Sequence, residues 1–435
     1  MQKLIIFLLL MSPALFASAR PVWQWMWIIY VFVGVILTVG QLSYKKVSHK
    51  QYNILPVPTQ ISLTLFLCIC FYQIITFGPG LDGERAIFFA LQVLSILGFH
   101  FIIAGIISNR LKAEKLLFYI VNIISLYALW GFIAYITGND HVLWYEKTTS
   151  YGSLTSTFIN RNSFAAYLGM GLILAALEIS VKFPNLKKEN RLYRHIILDG
   201  LQFFFSKGWL LGLKLVILLT ALLLTTSRAG VFSSLLMLAV FFLLNTRLTF
   251  REHKLLYALG AFLAFAAFSI IGSISGEKLE QRLYNYSTLD TRFVAYEMII
   301  DGIKEKPILG HGAGSFEHKF QPLRDHNLPA YFDRAHNDYL ELAFTIGIPG
   351  TLIFLTGMLA LILQFTNTLK HTKKYRKHLL AILCVIGQIG VHSLIDFPLQ
   401  MPATAYTFTA ILTIGLIIVN RTLKRDTLIH SVPLD

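Results

Sequence analysis

Charge is what this sequence has least of. Of its 435 residues only 23 are acidic, and all charged types together make up 14%. A soluble domain draws on about a quarter charged residues to cover its surface, so this composition excludes an ordinary soluble globular chain. Cysteine is also scarce: Cys68, Cys70 and Cys384 all sit inside apolar runs. They read as small buried side chains, with neither a disulfide framework nor metal-ligand spacing. The formal charge of +15 is not gathered on one strip, as nucleic-acid binding requires. The basic residues fall between apolar runs instead, which is the pattern of membrane topology and leaves nucleic acid out as a partner.

What fills the sequence is apolar mass: 55% hydrophobic residues, 34 of them Phe, with mean hydropathy +0.61. A helix crosses the ~30 Å hydrocarbon core with about 20 apolar residues. On that measure twelve spans are expected, at roughly 4–19, 22–40, 61–78, 86–108, 116–138, 163–181, 210–227, 229–246, 255–275, 348–366, 379–395 and 403–420. The first also resembles a signal peptide, with Lys3, the run Leu4 to Phe16 and the small residues Ala17-Ser18-Ala19. We read it as a retained span, since its removal leaves the next segment to insert unaided.

Lys and Arg set the orientation. With a cytoplasmic amino terminus, the inner segments hold 24 of them, from Lys3 and Lys45 through Lys370–Lys377 to Arg425. The short outer connections hold five: Arg20, Arg85, Lys147, Arg161 and Arg228. That asymmetry puts both termini inside and the one long polar segment, about 276–347, outside. The expected fold is an all-α polytopic membrane protein of about twelve transmembrane helices. Helices 1–9 occupy 1–275, a partly helical periplasmic loop 276–347, and helices 10–12 with the tail 348–435. The basic stretch 182–207 carries the apolar patch Leu201-Gln202-Phe203-Phe204-Phe205 and reads either as an amphipathic surface element or as a solvated connector.

Within the loop, Phe293, Met298, Ile299 and Ile303 share one helical face after a cap at Asp290 or Thr291, and Pro307 and Gly310 end that helix. A second helix is expected from about Arg334 to Thr345, capped by Asp333 and ended by Gly347. It would place His336 in a first turn whose free N–H groups favour an anion.

Four stretches carry polar groups that topology leaves unexplained. Asn160-Arg161-Asn162-Ser163 opens the sixth span; Asn and Ser suit a helix cap, whereas an arginine there opposes the helix dipole. Ser227-Arg228-Ala229-Gly230 breaks two apolar runs, and an arginine at that depth is costly unless paired or facing water. Arg292 precedes Pro307-Ile308-Leu309-Gly310-His311-Gly312-Ala313-Gly314-Ser315-Phe316. Without a βαβ unit those glycines make a weak nucleotide loop, and a turn that brings backbone close to a ligand is the plainer reading. The fourth is His336-Asn337-Asp338-Tyr339-Leu340-Glu341. Imidazole titrates near ~6.5 and suits proton transfer at neutral pH, and arginine forks suit phosphate oxygens. A fifth segment, His392 to Gln400, contains Asp396, which either pairs with an outer arginine or marks a helix end.

Taken in order, the Asn-Arg-Asn entry, the Ser-Arg-Ala-Gly break, the Arg292 helix with its Gly-rich sequel, and the His-Asn-Asp-Tyr-Leu-Glu stretch ending in Gly-Ile-Pro-Gly resemble the O-antigen ligase superfamily. The resemblance runs from about Thr157 to Gly350 and more weakly over His392 to Pro402. It implies a GT-C-like glycosyltransferase of the bacterial inner membrane that needs no metal or other cofactor. Its donor would be a glycan on undecaprenyl diphosphate and its acceptor lipid A–core or another glycan. Carried over by motif, Arg228 and Arg292 would bind the donor diphosphate with help from Arg161. Asn160, Asn337 and Tyr339 would line the substrate site, and His336 would act on the acceptor hydroxyl with Asp338 in reserve, or else only donate to phosphate. Ligase, polymerase and protein O-oligosaccharyltransferase share this order of motifs. The ending Asp396-Phe397-Pro398-Leu399-Gln400 departs from the Glu-Tyr-Pro-Leu-Trp-like pattern of the protein-modifying branch. A ligase acting on lipid A–core is the favoured reading, ahead of a polymerase. A transporter or flippase would place charge at mid-membrane; here only Lys214 and Glu178 approach it, each near a helix end.

Overall fold

The computed structural model describes residues 2–47, 53–78, 80–107, 109–182, 202, 204–245, 288–324, 328 and 331–430. The expected span at 255–275 and most of the 182–207 connector lie outside them. The helices are α1 (Gln2–Met11), α2 (Pro21–Tyr44), α3 (Val57–Phe77), α4 (Leu81–Ile106), α5 (Arg110–Ile136), α6 (Arg161–Lys182), α7 (Trp209–Leu224), α8 (Arg228–Asn245), α9 (Thr288–Glu305), α10 (Phe316–Phe320), α11 (Asp338–His371), α12 (Arg376–His392) and α13 (Pro402–His430). The only sheet among the described residues is the two-residue ladder His141–Val142 with Tyr145–Glu146. The chain is an all-α polytopic membrane protein.

Among the described residues, eight helices are long and apolar enough to cross a membrane: α2 to α6, α8, α11 and α13. Helices α7 and α12, with 16 and 17 residues, reach about 24–26 Å at 1.5 Å per residue and lie where spans are expected. The amino terminus departs from expectation. Instead of a span over 4–19, α1 has ten residues, about 15 Å of helix. The chain then turns through a 3₁₀ segment, Phe16–Ser18, whose three residues all have positive φ. Helix α1 still packs against α5 and buries Ile5, Leu8 and Leu9.

Burial separates the centre of the bundle from its rim. In α6 and α13, 83% and 89% of the apolar window is enclosed by protein, against 22–28% in α2, α3, α4 and α8. The central pair therefore needs apolar residues on every side, while the rim helices turn much of their apolar surface outward. Small residues let the centre close up: a Cβ at Gly169 would stand 2.1 Å from Ser234 Oγ on α8, so only glycine lets these two backbones approach. The charged Glu178 of α6 is buried but bonded by Lys182 at 2.5 Å and Lys214 at 3.2 Å, which offsets the cost of placing it there.

The polar loop folds into a small body of its own. Ala295, Ile299 and Ile303 of α9 pack on Phe316, Phe320, Phe332 and Phe344, the last from α11. As expected, α9 ends just before Pro307. The expected second helix differs: residues 334–337 are not helical, and α11 starts at Asp338, capped by the Asn337 side chain, whose Oδ1 accepts from the amides of Tyr339 and Leu340 at 3.0 Å each. Asp333 is not the cap, because Glu341 reaches back to accept from the Ala335 amide at 2.8 Å and keeps this stretch out of the helix.

Helix α11 is broken rather than ended at Gly347, which has φ 79° and ψ 167°. The Gly-rich segment lies along this break: the amides of His311 and Gly312 donate to the carbonyls of Phe344 and Thr345, and the Ile348 amide donates to Pro307. Gln73 of α3 completes the contact, donating to Leu309 and accepting from the Ala313 amide. These glycines let the segment approach α11 at Gly310, α3 at Gly312 and α4 at Gly314.

Candidate active site

His336 lies one residue outside α11, not in its first turn, with φ 51°. That left-handed conformation is unfavourable for a residue with a Cβ, and it is held from three sides. The Tyr296 hydroxyl donates to the His336 carbonyl at 2.7 Å; Glu341 fixes Ala335 just before it; Asn337 caps the helix just after it. Burial raises the Tyr296 hydroxyl above its ordinary pKa, with Asp396 adding to the effect and Arg292 opposing it, so Tyr296 stays a donor at neutral pH. The His336 ring stands edge-on to Phe397, centroids 5.0 Å apart, and to Phe332 at 6.0 Å.

Opposite the ring is Asp396, 1% exposed, in the turn between α12 and α13. Its Oδ1 is 3.6 Å from His336 Nδ1, an ion-pair distance just beyond hydrogen bonding, and accepts from the Phe397 amide at 2.8 Å. Burial alone would push this carboxyl up. His336, His392 and the Phe397 amide together hold it below its ordinary value, so it is a carboxylate at neutral pH. Nδ1 of His336 is buried against Asp396 while 21% of the side chain stays exposed. Nε2 is then the nitrogen left to exchange protons with a substrate.

The same turn gathers the rest of the site. Arg292, one helical turn before Tyr296 on α9, donates through Nη1 to the Ile395 carbonyl at 2.9 Å. His392 is fully enclosed, and neither ring nitrogen has a hydrogen-bond partner among the described residues. A Cβ at Gly230 would stand 3.2 Å from its Cε1, which places the start of α8, and with it the exposed Arg228, against the end of α12.

The other expected site residues serve mainly as ties. Asn337 Nδ2 donates to Leu394, the Asp338 amide to Ser393, and the Tyr339 hydroxyl to Gly390 at 2.9 Å. The Asp338 carboxylate accepts from Ser393 Oγ at 2.8 Å and Gln400 Nε2 at 3.0 Å, with the Leu399 amide at 3.5 Å. A carboxylate so occupied is poorly placed to take a proton from substrate. Arg161 Nη1 donates to Ser153 and Thr226, and Asn160 accepts from the Asn162 amide in a local cap. These two tie the α5–α6 connection to the α7–α8 turn. The partner of His336 is the residue whose role the sequence leaves open: Asp396 lies 60 positions away in an unremarkable turn. A lone acid directly after an apolar run was the available signal.

The fold and the site define a polytopic membrane protein with a histidine–carboxylate pair at one end of the bundle and arginines beside it. A family model described as O-antigen ligase matches residues 213–355. That stretch holds Arg228, Arg292, His336 and Asp338, and the match is to the same superfamily that the motifs resemble. The family points to a glycosyltransferase of ligase or polymerase type, with glycan and lipid-linked substrates. No curated protein matches the chain.

Proposed function

We propose that the protein transfers a glycan from undecaprenyl diphosphate to an acceptor hydroxyl at the periplasmic face of the bacterial inner membrane, both termini being cytoplasmic, and that the acceptor is lipid A–core. The observation that carries this reading is His336 Nδ1 turned to the enclosed Asp396 carboxylate, with Arg292 bonded to the adjacent residue. The acceptor oxygen attacks the anomeric carbon and the bond from that carbon to the diphosphate oxygen breaks. The acceptor's proton passes to His336 Nε2, and undecaprenyl diphosphate leaves. Asp396 stabilises the imidazolium that forms, the role of the carboxylate in a histidine–carboxylate pair. Arginines at a poorly hydrated site stabilise charge on the departing diphosphate, and in this reading Arg292 and Arg228 take that role. Asp338, Asn337 and Tyr339 hold the start of α11 on the α12–α13 turn so that His336 and Asp396 meet; Arg161 braces the turn before α8.

The test is deletion of the gene followed by analysis of lipopolysaccharide and lipid-linked precursor, with the wild-type gene returned as control. Loss of long glycan from lipid A–core with long precursor retained supports the ligase. Single repeat units accumulating on the lipid would replace it with a polymerase, and unchanged glycans in both pools would overturn the reading.

A further inference from the structure

The turn that follows α9 holds two large apolar side chains out of the protein: Ile308 is 69% and Leu309 44% exposed. Its backbone is nonetheless pinned. The Lys306 carbonyl accepts from the Gly310 amide at 3.0 Å, and the Pro307 carbonyl from the Ile348 amide of α11 at 2.8 Å. Gln73 of α3 donates to the Leu309 carbonyl at 2.6 Å. A fixed backbone thus presents both aliphatic side chains outward, which in water leaves their apolar surface uncompensated.

Two helices measure where this turn lies. On α11 the exposed residues Ile348, Leu352, Leu359 and Leu363 fall on one face at helical spacing and mark the side turned to lipid. From Ile348 to Lys370 that helix rises about 33 Å at 1.5 Å per residue, a little more than the ~30 Å hydrocarbon core. Lys370 stands at the far boundary, with His371 and Lys373 just beyond it, so Ile348 stands at the boundary on the loop side. Helix α3 gives a second measure. Its 21 residues cover about 32 Å, and Gln73 lies one turn inside its loop-side end, Phe77. The Leu309 carbonyl, bonded to Gln73, is therefore level with the last turn of a span. Both measures put Ile308 and Leu309 at the edge of the hydrocarbon, beside a helix face that lipid already covers.

We infer that Ile308 and Leu309 insert into the leaflet on the loop side and anchor the polar loop to it. The occupant of this surface is bulk phospholipid, continuous with the lipid along α11. The charges flanking the turn cancel, Lys304 and Lys306 against Asp301 and Glu305, all four exposed, so the anchor rests on apolar burial and needs no anionic headgroup. It fixes one end of α9. Toward the other end lie Arg292, bonded to the Ile395 carbonyl just beyond α12, and Tyr296, bonded to the His336 carbonyl. From Arg292 to Glu305 is about 20 Å of helix, so α9 is a strut across the loop-side face, running from the candidate site to the membrane edge. The inference does not rest on the proposed glycan transfer and holds whichever acceptor receives the sugar.

The test replaces Ile308, Leu309, Tyr331 or Leu352, one at a time, by the photoreactive p-benzoylphenylalanine in the full chain, held in nanodiscs of phosphatidylcholine alone. Leu352 is the lipid-facing reference. Tyr331, exposed, bonded to Glu317 and with Arg324 over its ring, is the water-facing control. Each variant is checked for monodisperse elution, illuminated, and read by mass spectrometry for the phospholipid adduct. The yield at 308 should match that at 352 and exceed that at 331 by at least about tenfold, the partition expected for burying one isoleucine side chain. Position 309 should behave as 308 does, and adding phosphatidylglycerol should leave the yields unchanged. An adduct at 352 with none at 308 or 309 overturns the anchor. So does cross-linking of 308 to another segment of the chain, a yield at 331 equal to that at 308, or a yield at 308 that arises only with phosphatidylglycerol.

Discussion

Asp396 Oδ1 faces His336 Nδ1 at 3.6 Å across the junction of the polar loop with the α12–α13 turn, and the two residues are brought together by different elements of the chain. The carboxylate sets which ring nitrogen faces substrate. Asp396→Asn removes that charge while keeping the shape, so the transfer rate should fall roughly 10²-fold or more, within the range for losing general base catalysis. Steady-state transfer with a purified lipid-linked donor checks this, and protein yield should remain near wild type.

The same pair makes a pH prediction. The folded Asp396 carboxyl is held below its ordinary value, so its contribution to stability is present above the unfolded value of about 3.9 and is lost as pH falls through the lowered folded value. Thermal unfolding in detergent should show Asp396→Asn less stable than wild type at pH 7. The gap should narrow only in strong acid; a gap that closes between pH 7 and 5 would show that another group carries the effect.

Tyr296→Phe removes the side-chain hydrogen bond from Tyr296 to the His336 carbonyl. The expected cost is about 1 kcal/mol of stability, together with a lower transfer rate as His336 relaxes from φ 51°. A melting curve and a rate measured on the same preparation separate the two effects. Loss of stability with an unchanged rate would mean that the His336 backbone conformation is irrelevant to transfer.

Gly347→Ala tests the break in α11. A Cβ there would lie 2.1 Å from the Ile308 carbonyl, at a φ and ψ that only glycine adopts readily. The strain, on the order of 3 kcal/mol, should lower the yield of monodisperse protein, whereas alanine at Gly212, which meets nothing within 4 Å, should not.

The membrane class and most of the spans are legible in the sequence because about 20 consecutive apolar residues carry their own signal. Helix α1 is shorter than its apolar run because run length alone does not register a turn: Phe16, Ala17 and Ser18 adopt positive φ under tertiary packing that no local pattern reports. Helix α11 starts later than its composition suggests for a related reason. Asp333 is a fair cap by composition, but Glu341, Asn337 and Tyr296 act from later or distant positions to hold 334–337 out of the helix. In the site, His336, Arg228 and Arg292 stand out as polar residues without a topological reason. Asp396 does not, because an acid after a span passes for an ordinary helix end. Its significance lies in His336, which faces it across the fold.

His336 is the group that takes the acceptor's proton in the proposed transfer, and single-turnover transfer by His336→Ala tests this most directly. With donor bound to saturation and the protein shown to be folded, the rate should drop at least about 10²-fold while donor affinity stays within a few-fold of wild type. Full-rate transfer by the folded variant, or a loss explained entirely by weaker donor binding, would contradict it.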